Sequence, residues 1–269
     1  MVNPSNECRM FDITTGQYIA MPKLNVARGY SPGAVVIQHA QQSRIYVFGG
    51  LTDTLQSDTC EFIDVGDTQW TLLEARMYIP RIYAYAVVLD AISIVLCGGY
   101  MGDASQTNRC EVLDLTTHKF ASFPDMLEAR HGHGGVHYND TIVIIGGYSK
   151  PVDSLRTCEQ FIPAIGKWTP FAPLVNGRHG AAAAVLHDNI YVVGGYKLES
   201  IEVYDGSVWS IVTSFPLSSP RFCAVIVEEK LAILNQDLEI VVVDLATNSY
   251  STLPATCQCD LRFFAAVSF

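Results

Sequence analysis

Short apolar runs, rather than long amphipathic stretches, organise this chain. IYVFGG (45–50), IVLCGG (94–99), IVIIGG (142–147) and IYVVGG (190–195) each end on a pair of glycines. Three of the four pairs are followed by tyrosine, at Tyr100, Tyr148 and Tyr196. Further on come CEFID (60–64), CEVLD (110–114), CEQFI (158–162) and IEVYD (201–205), and then an aromatic residue after a turn: Trp70, Phe120, Trp168 and Trp209. Each unit next passes through a proline-containing loop into an arginine, at Arg81, Arg130, Arg178 and Arg221, and enters a small-residue, β-prone run. Continuous apolar runs of this length predict strands buried on both faces. A glycine pair at a strand end supplies backbone freedom and lets a neighbouring chain approach closely. The Trp or Phe supplies apolar surface for the seam between units.

Two further copies are degraded. LAILNQ (231–236) carries Asn235 and Gln236 in place of the glycines and leads through VVVDLATNSY to Arg262. The N-terminal CRMFDITTGQY (8–18) matches the second half of a unit and leads to Arg28. The six arginines are spaced by 53, 49, 48, 43 and 41 residues. Four short strands per unit of this length are the signature of a β-propeller blade. The predicted fold is therefore an all-β, six-bladed propeller.

The double glycine, the Glu-x-x-Asp strand and the trailing Trp resemble the Kelch repeat over essentially the whole chain. The resemblance implies a single Kelch propeller with strands a to d running from the channel outward. The expected blades are 28–77, 78–126, 127–174, 175–217 and 218–256. A closing blade combines 257–269 with 1–27: RFFAAVSF (262–269) supplies its strand a, and residues 8–21 supply c and d. Its strand b is missing and is expected just upstream of Met1, which makes the chain resemble the tail of a longer protein. In the Kelch-like adaptor family, BTB and BACK domains precede such a propeller, and neither is present in this sequence. By resemblance the chain is a protein–protein interaction module related to substrate adaptors of cullin-RING ubiquitin ligases. Engagement of the ligase machinery then requires the absent domains. An actin-binding or cytoskeletal scaffold is the alternative, and a galactose-oxidase-like or sugar-epimerase-like enzyme is less favoured.

Composition narrows the function classes. Hydrophobic residues make up 49% and charged residues 16% of the 269, which excludes a disordered chain or a coiled coil. A net charge of −10 argues against bulk nucleic-acid binding, which needs a basic surface to release counterions. No apolar stretch is long enough to span a bilayer as a helix, and the N-terminus lacks the features of a signal peptide, so a cytoplasmic, non-membrane protein is expected. Cys8, Cys60, Cys110 and Cys158 recur at one repeat position, which holds them apart and predicts free thiols. Cys257 and Cys259 form a C-x-C pair without a second pair at zinc-finger spacing.

The stretch ARHGHGGVHYNDTIVIIGGY (129–148) contains His131, His133 and His137 at strand spacing. A metal site there lacks a fourth ligand and groups to hydrogen-bond and orient its histidines, and its glycines do not precede a helix that would cradle a phosphate. No Ser-His-Asp set or isolated carboxylate pair stands out, and galactose-oxidase-like copper ligands are not recognisable. No catalytic residue, metal or cofactor is predicted. The candidate site is instead the ring of arginines with the variable residues just after them: Arg28 and Tyr30, Arg81 and Tyr83, Arg130 and His131, Arg178 and His179, Arg221 and Phe222, Arg262 and Phe263. In Kelch propellers their d–a loops share a face with the b–c loops, here 51–59, 100–109 and 148–157. Arg and aromatic side chains dominate interface energetics, so a protein or peptide partner is expected, one with acidic residues for the guanidiniums to hold. The competing reading pairs each arginine with its own blade's Glu61, Glu111, Glu159 or Glu202.

Overall fold

The computed structural model describes residues 4–12, 17–29, 32–39, 42–102, 105–215, 222–235 and 239–253. Strands β1 (Cys8–Asp12) and β2 (Gln17–Met21) pair as a two-stranded sheet. Five four-stranded antiparallel sheets follow. Blade 1 holds β3 (Gly33–His39), β4 (Gln42–Phe48), β5 (Cys60–Asp64) and β6 (Thr71–Leu72). Blade 2 holds β7 (Tyr85–Asp90), β8 (Ser93–Cys97), β9 (Cys110–Asp114) and β10 (Lys119–Phe123). Blade 3 holds β11 (Gly134–Tyr138), β12 (Thr141–Ile145), β15 (Cys158–Ile162) and β16 (Lys167–Phe171). A small hairpin of β13 (Tyr148–Ser149) and β14 (Asp153–Ser154) is inserted in its b–c loop. Blade 4 is β17 (Ala182–Leu186), β18 (Asn189–Val193), β19 (Ser200–Tyr204) and β20 (Trp209–Ser214). Blade 5 is β21 (Phe222–Val227), β22 (Lys230–Asn235), β23 (Ile240–Asp244) and β24 (Ser249–Leu253).

The first strands, β3, β7, β11, β17 and β21, neighbour one another in chain order, as the innermost strands of propeller blades do. The sequence repeat leads to six blades, whereas the described residues form five four-stranded ones plus the β1–β2 pair. The strand expected at 262–269 lies outside the described residues, as do Cys257 and Cys259.

The core is built at the seams. The second strands of blades 2 and 3 are buried along most of their length, as in Ile94, Val95, Leu96 and Cys97 of β8 and Ile142 to Ile145 of β12. One apolar cluster joins blades 1 and 2 through Tyr46, Phe48, Ile94, Leu96 and Phe120. Equivalent clusters join blades 2 and 3, 3 and 4, and 4 and 5. Each fully buried aliphatic or aromatic side chain contributes roughly 1.5–3 kcal/mol, so the seams outweigh any single polar contact. The tryptophans lock them in register. Trp70 Nε1 donates to Pro22 O at 2.9 Å, Trp168 Nε1 to Pro124 O at 2.8 Å and Trp209 Nε1 to Ala172 O at 2.9 Å, each reaching back towards the preceding unit.

Candidate functional site

The recurring arginine and glutamate form a buried clamp in blades 1 to 4. In blade 3, Arg130 Nη1 donates to Gly146 O at 2.6 Å and Thr157 O at 2.8 Å, and Nη2 reaches Glu159 Oε1 at 2.8 Å. Arg178 repeats this with Gly194 O, Ser200 O and Glu202, the last at 2.6 Å. Arg28 does so with Gly49 O, Thr59 O and Glu61, and Arg81 with Gly98 O, Arg109 O and Glu111. The glutamates are spent as well. Their carboxylates accept from consecutive backbone N–H groups of the incoming loop: Asn25 and Val26, Tyr78 and Ile79, Leu127 and Glu128, Val175 and Asn176.

The clamp also requires the double glycine. Gly146 has φ +61°, and a Cβ there would lie 2.5 Å from Arg178 O. That closeness lets Gly147 N donate to Arg178 O at 2.8 Å, across to blade 4. Gly50 to Arg81 and Gly99 to Arg130 repeat the stitch between earlier blades. Arg28, Arg81, Arg130 and Arg178 are each 1% exposed. The Nε atoms of Arg130 and Arg178, which have no hydrogen-bond partner, are themselves buried. These four guanidiniums therefore do not reach a partner, which corrects the expectation that they hold acidic residues. Arg221, Arg262, Phe263 and Tyr30 lie outside the described residues. Phe222 opens β21, with its side chain outside what is described.

Of the residues after the arginines, Tyr83, His131 and His179 are half-buried, and they stand in two registers rather than one. Directly following each arginine, Gly29, Ile82 and His131 form isolated β-bridges to Leu51, Tyr100 and Tyr148. In blade 4, Tyr196 N donates to His179 O at 2.8 Å. Tyr83 stands one place later, where blades 3 and 4 carry Gly132 and Gly180. It shares their left-handed backbone, φ 57° against 58° and 70°, a conformation that strains a bulky residue and favours functional sites. The d–a lips thus pair with the starts of the b–c loops in each of blades 1 to 4.

A continuous arc of rings results. His131 stacks on Tyr83 at 5.6 Å, meets Tyr100 edge-on at 5.4 Å and lies 5.1 Å from Tyr148. Tyr148 meets His179 at 5.4 Å, and His179 stacks on Tyr196 at 5.2 Å. The β13–β14 hairpin braces the arc: Ser154 Oγ lies 2.8 Å from His179 Nδ1, and the Asp153 carboxylate raises the pKa of the Tyr148 hydroxyl. Tyr100, Tyr148 and Tyr196 were visible in the sequence as the residue after three of the four glycine pairs. Their place beside the d–a lips was signalled by that position, since a residue following strand b must begin the b–c loop.

The three histidines of 131–137 separate. His131 joins the arc, His137 is exposed on β11, and His133 is 5% exposed where blades 2 and 4 have Ala84 and Ala181. Neither ring nitrogen of His133 has a hydrogen-bond partner, and burial, then Arg130 and His131, pushes its pKa well below the ordinary imidazole value. Among the described residues no group of three or more His, Cys, Asp or Glu side chains is placed to hold a metal ion. Among them, too, no helix is long and apolar enough to cross a membrane. Among the described residues, Cys8, Cys60, Cys97, Cys110, Cys158 and Cys223 form no disulfide.

Five stacked four-stranded blades, four of them clamped by Arg, Glu and a glycine pair, define a β-propeller of the Kelch type. Residues 4–233 match the family model of the KLHDC2/KLHL20/DRC7 Kelch-repeats domain, and the chain belongs to this Kelch-repeat family. Among solved structures, YjhT superposes with a TM-score of 0.75 at 12% identity, covering 93% of this chain and 97% of YjhT. At that identity the likeness is one of fold alone. No curated protein sequence matches the chain.

Proposed function

We propose that this chain is a protein-interaction module that captures a partner or substrate peptide on the face formed by the d–a and b–c loops. The arc from Tyr83 to Tyr196 carries the reading. It gathers half-buried rings from three consecutive blades and holds them in fixed geometry by two-way backbone pairing, as between His131 and Tyr148 at 3.2 and 2.8 Å. Rigid aromatic surface binds without the ordering cost of a flexible loop, and aromatic residues are the usual anchors of interfaces. Within the described residues the proposed contacts are Tyr83, His131 and His179, joined by Tyr100, Tyr148 and Tyr196. The four clamp arginines position them.

In the ubiquitin-ligase version of this reading, which rests on the resemblance to Kelch-like adaptors, the mouth holds the substrate and a separate domain contacts the ligase. We further propose that 257–269 with 1–27 complete a sixth blade around β1 and β2, after the five that begin near residues 28, 78, 127, 175 and 218. Quantitative capture of partners from extract by immobilised protein tests the function. Tyr196→Ala and His179→Ala should abolish specific capture, while Ile211→Ser on the outer strand of blade 4 should leave it intact. Equal capture by all three variants would rule out the mouth as the docking face.

A further inference from the structure

The chemistry of the mouth also points to what it takes. We infer that its occupant is an uncharged peptide turn presenting a proline or aliphatic side chain, a conclusion that rests on the mouth being the docking face. Fixed positive charge has been withdrawn, because the four described lip arginines are buried against glutamates and backbone carbonyls. The other charges around the b–c loops are of both signs, with Asp53, Lys150 and Asp153 exposed and others paired locally. Arg76 lies 3.4 Å from Asp58, Arg109 lies 3.7 Å from Asp125, and Glu128 is bound by Arg130 and Thr157. A cationic side chain fits no better than an acidic one. The chain's own Lys197 ammonium already stands 5.1 Å above the Tyr196 ring.

Aliphatic side chains are presented among these mixed charges. Leu55, at the tip of the blade 1 loop, is 68% exposed, and Val152, at the tip of the β13–β14 hairpin, is 65% exposed. Both are held out by built turns rather than by chance. Thr52 Oγ1 and the Thr52 N–H both bond Leu55 O, and Val152 N donates to Ser149 O at 3.0 Å. Two raised aliphatic tips with an arc of neutral rings suit a peptide whose proline or aliphatic side chain packs on ring faces while its backbone meets imidazole and phenol groups. This departs from the acidic partner expected from the arginines alone.

The test is selection from a random-peptide phage library on the intact chain. Enriched peptides are then synthesised with a fluorophore and titrated by polarisation. Expected are sequences with Pro, Leu, Val or Ile and near-zero net charge, bound about 10-fold more weakly by Tyr148→Ala. Leu55→Ser, at a site too exposed to affect folding, should weaken binding several-fold. Affinity should change less than about 2-fold between low and high salt, since screening acts on charge pairs. Enrichment of Asp and Glu, or of Lys and Arg, or a steep fall of affinity with salt, would overturn the uncharged occupant and leave the mouth as docking face standing. Peptides that bind both variants as tightly as the parent would overturn the mouth itself. A library yielding no binder would overturn peptide recognition.

Discussion

Arg178 shows how a residue that looks like a binding group can be structural. Burial pulls its pKa down and the Glu202 carboxylate pushes back, leaving a pair both of whose side chains are fully buried. Removing one member of such a pair strands the other charge, at a cost of about 3–5 kcal/mol. Arg178→Ala should therefore lower unfolding stability in urea by that amount. Arg178→Lys should recover only part of it, because an ammonium lacks the planar fork that spans Gly194 O, Ser200 O and Glu202. His133 gives a second residue-scale prediction. Its folded pKa is depressed, so above the ordinary imidazole value neither folded nor unfolded protein carries its proton. As pH falls below that value, only the unfolded chain gains the proton, and stability drops by up to ~1.4 kcal/mol per pH unit until the folded pKa is reached. Urea titrations at pH 7 and pH 5.5 should show a larger acid loss for the parent than for His133→Ala, which restores the alanine of blades 2 and 4. Equal losses would remove His133 as the cause.

At the scale of single elements, strands b and c of blade 2 place two thiols face to face. Gly98 N donates to Arg109 O at 3.1 Å, which marks that pair as hydrogen-bonded. The adjoining partners Cys97 and Cys110 then form the closer, non-hydrogen-bonded pair of the ladder. The matching positions in blades 1 and 3 are Phe48 with Cys60 and Ile145 with Cys158, so the repeat places apolar volume here and cysteine serves as a small apolar side chain. Burial raises the thiol pKa of Cys97 and Cys60 and pushes Cys158 up to about 11. Iodoacetamide should thus leave Cys60, Cys97, Cys110 and Cys158 unmodified in the native protein and label all four in denaturant, as read by peptide mass spectrometry. Labelling of Cys97 under native conditions would contradict the burial. Strand positions of this kind were legible from sequence because glycine pairs and Glu-x-x-Asp fix the register locally. The β13–β14 hairpin was not, since nothing local in SKPVDS distinguishes a hairpin that braces the neighbouring blade's His179 from an ordinary loop.

For the molecule as a whole, the repeat gave away the blades because each unit solves the same packing problem, whereas the use of the arginines depended on contacts between units. A guanidinium at a lip reads equally well as partner-binding or as a clamp; only the arrival of Gly146 O, Thr157 O and Glu159 around Arg130 decides. The same inter-blade chemistry predicts uneven stability around the ring. Blades 1 to 4 carry the complete set of Arg, Glu and glycine pair, and Gly50, Gly99 and Gly147 stitch each of blades 1 to 3 to the next. In blade 5 the glutamate position is Val241, fully buried among apolar neighbours, and the glycine pair is Asn235 and Gln236. The described seam between blades 4 and 5 is an apolar cluster of Ala182, Ala184, Val193, Ile201, Leu231 and Val243. Repeat arrays open where nearest-neighbour interfaces are weakest. Amide hydrogen exchange should accordingly show β22 and β23 exchanging well before β8, β12 and β18, although all are inner or middle strands buried to a similar degree. Replacing Gly147 with alanine should then bring the protection of blades 3 and 4 down towards that of blade 5, because a Cβ there would lie 2.9 Å from the His133 Cβ and 3.2 Å from His131 O. Uniform protection across the five blades would mean that apolar seams alone set the cooperativity, and that the clamp serves only to shape the mouth.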